Sequence, residues 1–365
     1  MEELNTTLQF SNTELLLGAL ALLFAGLLSF ALTPLAREIG FKIGAVDVPD
    51  KVRHFHKEPT PRCGGLSIFL AFFAGVLIFA PLTNETIGLL LGTLAVLLLG
   101  LADDKYRLKP WVKFLGQIAV SLIPIAFGMR IEHISLLHRE IEFGVFSIPV
   151  TMLWIIGMTN AVNLIDGLDG LACGVSAISS VALLICAIVS AQVSGVPLLI
   201  AILAGACIGF LPFNVSPAKI FMGDSGALSL GFVLSLLSMQ GFFKVNAFFS
   251  LLLVFAFPLG DTVVSFFRRI FHKGSPFQAD RKHLHYKLVD LGFSQRGAVS
   301  FLLTFSGIFG VSAVLFSMRR YLESGISAAT ALIVLFAVYF AFRAKSKHVS
   351  EPVAKQEDKQ GEDQR

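Results

Sequence analysis

The chain has 365 residues, of which 55% are hydrophobic and only 15% charged, with a formal net charge of +4. Its mean hydropathy is +0.76. A soluble chain of this length could not hide so much apolar surface, so the composition excludes a soluble enzyme, a disordered chain, a collagen-like fibre and a disulfide-framed secreted domain, and leaves a polytopic membrane protein.

In chain order, a polar leader (Glu2, Glu3, Asn5) comes first. The apolar run behind it lacks a basic flank and outlasts a signal peptide, so it reads as a retained helix. A span needs about 20 mostly apolar residues. The sequence predicts eleven: 15–36, 64–81, 86–102, 111–128, 147–163, 171–191, 195–212, 225–242, 246–266, 297–317 and 325–342. Backbone groups in lipid must satisfy one another, and runs such as Leu15 to Ala31 do not alternate, so the expected fold is all-α and not a barrel. One integral-membrane catalytic domain is expected over residues 1–343. The polar, mixed-charge segment 344–365 reads as a disordered cytoplasmic tail. Cys63, Cys173, Cys186 and Cys207 show no metal-binding or redox spacing and read as buried apolar residues.

An odd number of spans puts the termini on opposite sides. One set of loops holds only Arg130, Arg139, Lys244, Arg319 and Arg320. The other set and the tail hold the remaining 24 of the 29 Lys and Arg. By the positive-inside rule the basic side is cytoplasmic, with the N-terminus outside and the C-terminus inside.

The scarce acids are sorted too. Asp103, Asp104, Asp166, Asp169, Asp224 and Asp261 all fall toward the cytoplasmic ends of spans. Ionisable groups in or beside spans are costly and functional by default. Asp103 and Asp166 sit at helix C-termini, where the macrodipole is negative, so something positive must compensate them. Asp224 precedes a span and reads equally as an N-cap. Asp261 reads equally as a structural ion-pair partner or a catalytic group. The run Asn160-Ala-Val-Asn163-Leu-Ile-Asp166-Gly-Leu-Asp169-Gly-Leu repeats polar groups every three residues, which makes them neighbours on a helical surface. Two carboxylates and two amides form an all-oxygen environment suited to Mg²⁺. On the same side lie Lys51, Arg53, His54, His56, Lys57 and Arg62, and later Asp280-Arg-Lys-His-Leu-His-Tyr-Lys287. A topogenic or lipid-attracting patch would explain their charge but not the imidazoles. Acids able to hold Mg²⁺ facing bases able to hold phosphate imply diphosphate chemistry at the inner membrane face.

With these residues the chain resembles the polyprenyl-phosphate N-acetylhexosamine-1-phosphate transferase family (glycosyltransferase family 4). The motifs, in order, are Pro59-Thr-Pro-Arg-Cys-Gly-Gly65, Leu101-Ala-Asp-Asp-Lys105, Asn160 to Leu171, Pro217-Ala-Lys-Ile-Phe-Met-Gly-Asp-Ser-Gly226 and Asp280-Arg-Lys-His-Leu-His285. The likeness covers about residues 15–342. It implies a bacterial cytoplasmic-membrane enzyme that moves N-acetylhexosamine-1-phosphate from a UDP-sugar to undecaprenyl phosphate and releases UMP. The implied cofactor is Mg²⁺, with Mn²⁺ as a substitute. The final motif resembles the branch using UDP-N-acetylglucosamine. It lacks the histidine run of the muramoyl-pentapeptide branch, the same-class alternative, and Tyr286 stands where many relatives continue with histidine. A homodimer is in keeping with the family, and no nucleic-acid partner is expected.

The resemblance implies metal binding by Asp224, with Asp166 as a second ligand. Asp103 is then the candidate base, and Asp104, Asp166 and Asp169 complete the catalytic group. Asn163, Arg281, His283, His285, Arg62 and Lys105 become the candidate substrate contacts. A transporter or channel would place acids at mid-membrane depth or on both faces. A lipid-binding scaffold would explain the basic loops but not the acids.

Overall fold

The computed structural model describes residues 11–48, 58–136, 139–190, 195–242, 248–271 and 283–362. It is a bundle of thirteen described helices with two short β-ribbons. Helix α1 (Asn12–Ile43) starts at a reciprocal capping box, in which Ser11 and Glu14 satisfy each other's backbone N–H. It stops at Gly44, whose φ of 74° suits a residue without Cβ. The strands β1 (Val46–Asp47) and β2 (Thr60–Pro61) pair antiparallel at this end of the bundle. Then come α2 (Gly65–Phe79), α3 (Asn84–Tyr106) and α4 (Pro110–Ala126). A hairpin of β3 (His133–Leu136) and β4 (Arg139–Glu142) leads into α5 (Ser147–Ile165), α6 (Leu171–Val189), α7 (Val196–Asn214) and α8 (Gly223–Phe242). The remainder is α9 (Phe248–Val254), α10 (Ala256–Phe271), α11 (Leu284–Asp290), α12 (Gln295–Ser317) and α13 (Tyr321–Glu362).

The all-α polytopic expectation holds. Seven helices among the described residues are long and apolar enough to cross a membrane, or eight if a bent pair counts as one. The expected count of eleven is not reached among the described residues: 64–81 and 111–128 are the shorter helices α2 and α4, with 15 and 17 residues, and 225–242 (α8) is not among the seven. The expected span 246–266 is not one rod, because α9 and α10 meet at a 79° bend. Pro258 explains the break: it cannot donate to the Val254 carbonyl, and its ring crowds that carbonyl. The backbone of α13 runs on to Glu362.

Close helix crossings organise the bundle. On α1 and α7, Gly26 meets the Gly205 carbonyl, and Gly205 and Gly209 meet the carbonyls of Leu22 and Gly26. Small residues are needed where backbones touch, because in lipid the packing itself supplies the attraction. The centre of the bundle is α8. Its Leu228, Leu230, Val233, Leu234, Leu236 and Leu237 are buried, as are Ser225, Ser229, Ser235 and Ser238. Ser235 and Ser238 donate back to the Phe232 and Ser235 carbonyls, at 2.6 and 2.7 Å, so their hydroxyls need no outside partner. The opposite extreme is α13, whose Leu322, Ile326, Ile333, Phe336 and Phe340 are exposed, as a lipid-facing helix requires.

A Gly205→Val substitution puts a side chain against the Leu22 carbonyl. It is expected to cost about 1–3 kcal/mol by overpacking and to lower the thermal midpoint of the detergent-solubilised protein. An unchanged midpoint would contradict the backbone-contact account of the α1–α7 crossing.

Candidate active site

The acids converge at one end of the bundle because alternate helices end there. Two of the sequence motifs are joined first by their backbones. Phe221 N–H donates to the Pro61 carbonyl (2.8 Å), while Gly64 and Gly65 N–H donate to the Phe221 and Met222 carbonyls (2.9 Å each). Gly223 follows with φ 71°, and its Cα faces the Arg62 carbonyl so closely that no Cβ would fit. This pairing puts Arg62 beside the start of α8. Arg62 also reaches Asp47 at 3.7 Å.

Asp104 fixes α8 from the other side. Its Oδ1 accepts from Asp224 N–H at 2.7 Å and its Oδ2 from Ser225 N–H at 2.9 Å. The carboxylate thus caps a helix N-terminus from a neighbouring helix, satisfying N–H groups left free there and complementing the dipole. Asp169 does similar work on the preceding loop, where its Oδ2 accepts from Ala218 N–H at 3.1 Å.

Asp103 turns the other way. Its Oδ1 accepts from Leu108 N–H at 2.7 Å, and its Oδ2 faces Lys113 Nζ at 2.8 Å. The same ammonium lies 2.5 Å from Asp224 Oδ1 and 3.3 Å from Asn163 Oδ1. Asn163 Nδ2 also donates to Asp224 Oδ1, at 2.6 Å. The compensating charge that Asp103 requires is therefore Lys113, in the first turn of α4. It stands among the basic loop residues in the charge tally, without a role of its own. A lone lysine at the head of an apolar run, followed one turn later by Gln117, was the available signal. Gln117 pairs with Asn160: Asn160 Nδ2 donates to Gln117 Oε1 at 2.8 Å.

Asp166 closes α5 and retains some exposed surface. Burial, and then the Asp224 carboxylate, raise its pKa to about 7, with Arg62 pulling the other way. It is only partly open to solvent, yet protein surrounds it closely enough to disfavour its charge.

The histidine motif arrives from α11. Asp261 Oδ2 lies 2.8 Å from His283 Nδ1, and Asp261 Oδ1 accepts from Leu284 N–H at 3.0 Å. An ionised carboxylate only accepts, so Nδ1 carries the His283 proton. Asp261, which the sequence left equally as an ion-pair partner or a catalytic group, is thus the partner of an imidazole. His285 stacks on His283 with ring centroids 5.8 Å apart, and meets the Tyr286 ring at 4.2 Å with the planes tilted by 48°. His285 is fully buried, and neither ring nitrogen has a hydrogen-bond partner among the described residues. Burial lowers its pKa to about 4, so the ring is neutral. A Cβ at Gly167 would run into this ring, so Gly167 is what lets the histidine motif touch the Asp166 turn.

The structure therefore brings together Asp103, Asp104, Asn163, Asp166, Asp169, Asp224 and Arg62, with His283 and His285 behind Gly167. Lys105 stands apart: it is exposed, with its ammonium 5.3 Å over the Tyr106 ring. Arg281 lies outside the described residues, as do Lys51, Arg53, His54, His56 and Lys57.

The raised Asp166 pKa has a pH signature in protein kept free of divalent cation. The folded-state value lies above the unfolded one, so its contribution is fully present below about pH 4 and is lost as pH rises through about 7. Asp166→Asn removes that penalty. Its melting temperature relative to wild type is expected to rise from about pH 5 to about pH 8, read by thermal unfolding in chelator. A gap independent of pH would refute the assignment.

Residues 86–242 match glycosyl transferase family 4. The chain is 38% identical, over 78% of its length and 80% of the relative's, to a probable undecaprenyl-phosphate N-acetylglucosaminyl 1-phosphate transferase of Bacillus subtilis. It is 34% identical, over 72% and 79%, to the undecaprenyl-phosphate alpha-N-acetylglucosaminyl 1-phosphate transferase of Thermotoga maritima. A phospho-N-acetylmuramoyl-pentapeptide-transferase of Heliobacterium modesticaldum is 43% identical, over 49% of this chain and 60% of its own. With the likeness extending well beyond the acid motifs, the chain belongs to glycosyl transferase family 4.

Proposed function

We propose that the protein transfers N-acetylglucosamine-1-phosphate from UDP-N-acetylglucosamine to undecaprenyl phosphate at the cytoplasmic face of a bacterial inner membrane, releasing UMP. The observation that carries this reading is the oxygen-lined cation position formed by Asp103, Asn163 and Asp224. The names of the two relatives matched over most of this chain support the substrate class. The loop charge asymmetry supports the orientation, with the N-terminus outside.

The donor set suits Mg²⁺. Among the described residues no three His, Cys, Asp or Glu side chains are grouped to cage a metal, and Mg²⁺ usually takes one or two carboxylates plus waters and substrate phosphates. Asp224 would hold it, with Asp166 beside it and Asn163 steering the Asp224 carboxylate. Bound there, the ion would neutralise phosphate charge and stabilise the leaving UMP. The protein's own task is to bring two anions into line. An acceptor phosphate oxygen bonds to the sugar-bearing phosphorus of the donor as the bond from that phosphorus to UMP breaks.

A lipid phosphate monoester has a second pKa near 6, so it is largely dianionic at neutral pH. Asp103, already paired with Lys113, acts mainly in positioning. Direct displacement is the simpler route. A route through an aspartyl-phosphate would release UMP without acceptor. Arg62 stands beside the acids as a phosphate contact. His283 and His285, held by Asp261 and Gly167, shape the wall on the donor side.

The muramoyl-pentapeptide donor remains a second reading, because one relative with that activity in its name matches half of this chain at 43% identity. The test is purified protein with Mg²⁺, undecaprenyl phosphate and a panel of UDP-amino sugars, followed by UMP release and lipid-linked product. UDP-N-acetylglucosamine is expected to be used, and Asp224→Asn to lower turnover by at least about 10³-fold. Product from the muramoyl-pentapeptide donor alone would move the protein to that branch. No product from any donor would end the enzyme reading. UMP burst without acceptor would replace direct displacement by the two-step route.

A further inference from the structure

We propose that Lys113 is a built-in competitor for the divalent cation, occupying its position in the substrate-free protein and yielding it when the donor arrives. The proposal rests on the reading of Asp224 as the metal ligand.

The Lys113 ammonium has three N–H donors, and three oxygens surround it: Asp103 Oδ2 at 2.8 Å, Asp224 Oδ1 at 2.5 Å and Asn163 Oδ1 at 3.3 Å. Its hydrogen-bonding capacity is filled by groups that a hard cation would also choose. The side chain is 17% exposed and that of Asp224 20%, so water screens the pair only partly. A dication on Asp224 Oδ1 would meet a full positive charge already hydrogen-bonded to that oxygen. It binds well only if the ammonium lets go.

Lys113 has a way to let go. Its backbone is held by α4, whose start is set by Pro110 at the first helical position. Its four-carbon stem is flexible, and Asp103 remains as one anchor. The remaining demand for negative charge is met by a diphosphate. Metal and donor then bind cooperatively: the donor's anion takes over the ammonium, and the vacated Asp224 oxygen takes the metal. By linkage, each raises the other's affinity by the same factor. In substrate-free protein the same lysine bridges Asp103 and Asp224 and offsets the repulsion between them. The device thus holds the acid cluster together without donor and makes metal loading depend on it.

The test uses Mn²⁺ alone as probe, with free Mn²⁺ read by electron paramagnetic resonance, on full-length protein in detergent without nucleotide. Lys113→Gln is expected to bind Mn²⁺ about tenfold or more tighter than wild type, the equivalent of one charge-assisted hydrogen bond. Lys113→Arg, which keeps the charge, should stay near wild type. Equal or weaker binding by Lys113→Gln, with binding still abolished in Asp224→Asn, would overturn the competition and leave the metal site standing. Unaltered binding in Asp224→Asn would overturn both. A second measurement needs no substitution: acetic anhydride labelling of Lys113, quantified by mass spectrometry, should rise several-fold in wild type at saturating Mn²⁺. Labelling that is unchanged or falls would overturn the proposal even if Lys113→Gln does not fold.

Discussion

The buried N-terminus of α8 is the point on which the acid end of the bundle depends. A helix start leaves N–H groups unpaired, and inside a membrane protein there is little water to take them. Asp104 resolves this by accepting from Asp224 and Ser225 N–H with its two oxygens. Gly100, one turn earlier on α3, lets that helix lie directly on Ser225. Asp224 is presented from a fixed backbone as a result. Loss of the Asp104 cap would move the site before it changed any charge in it.

Once α8 is placed, the rest follows from charge. Within the group Asp103, Asp104, Asp166, Asp169 and Asp224, burial and the Asp224, Asp104 and Asp169 carboxylates raise the cost of ionising Asp166. Such a group persists only with cations and oriented donors nearby. Lys113 and Arg62 supply the charge, while Asn163 and the backbone N–H groups of Leu108, Ala218, Asp224 and Ser225 supply the donors. The carboxylates therefore divide their work. Asp104 and Asp169 hold backbone, while Asp103 and Asp224 share Lys113.

The histidine motif adds a wall with its own support. Asp261 orders His283, His283 stacks on His285, and His285 meets Gly167. A disturbance in the bent α9–α10 pair would thus reach the Asp166 turn through packed rings without a new charge. Fully buried His285 meets the Asp166 turn through its ring at Gly167.

Much of this was legible in the sequence. Hydropathy located the helices, because a span must satisfy its backbone within itself and so announces itself locally. The clustering of acids toward one end was readable for the same reason, since alternate span ends share a side. Asp224, Asp166, Asn163 and Asp103 could be named from their motifs. What they hold could not be. Asp104 and Asp103 are chain neighbours with similar local environments, yet one caps a helix 120 residues away and the other binds Lys113. Lys113 itself lay hidden in a count of loop charges, and the 79° bend turned an expected rod into two pieces. By itself, the sequence determined the class of fold, most of the helices and the residue types that gather at one end of the bundle. Only the tertiary structure decided which carboxylate serves the backbone and which serves a cation. Those roles are set by partners distant in the chain, and no local pattern encodes the distance between them.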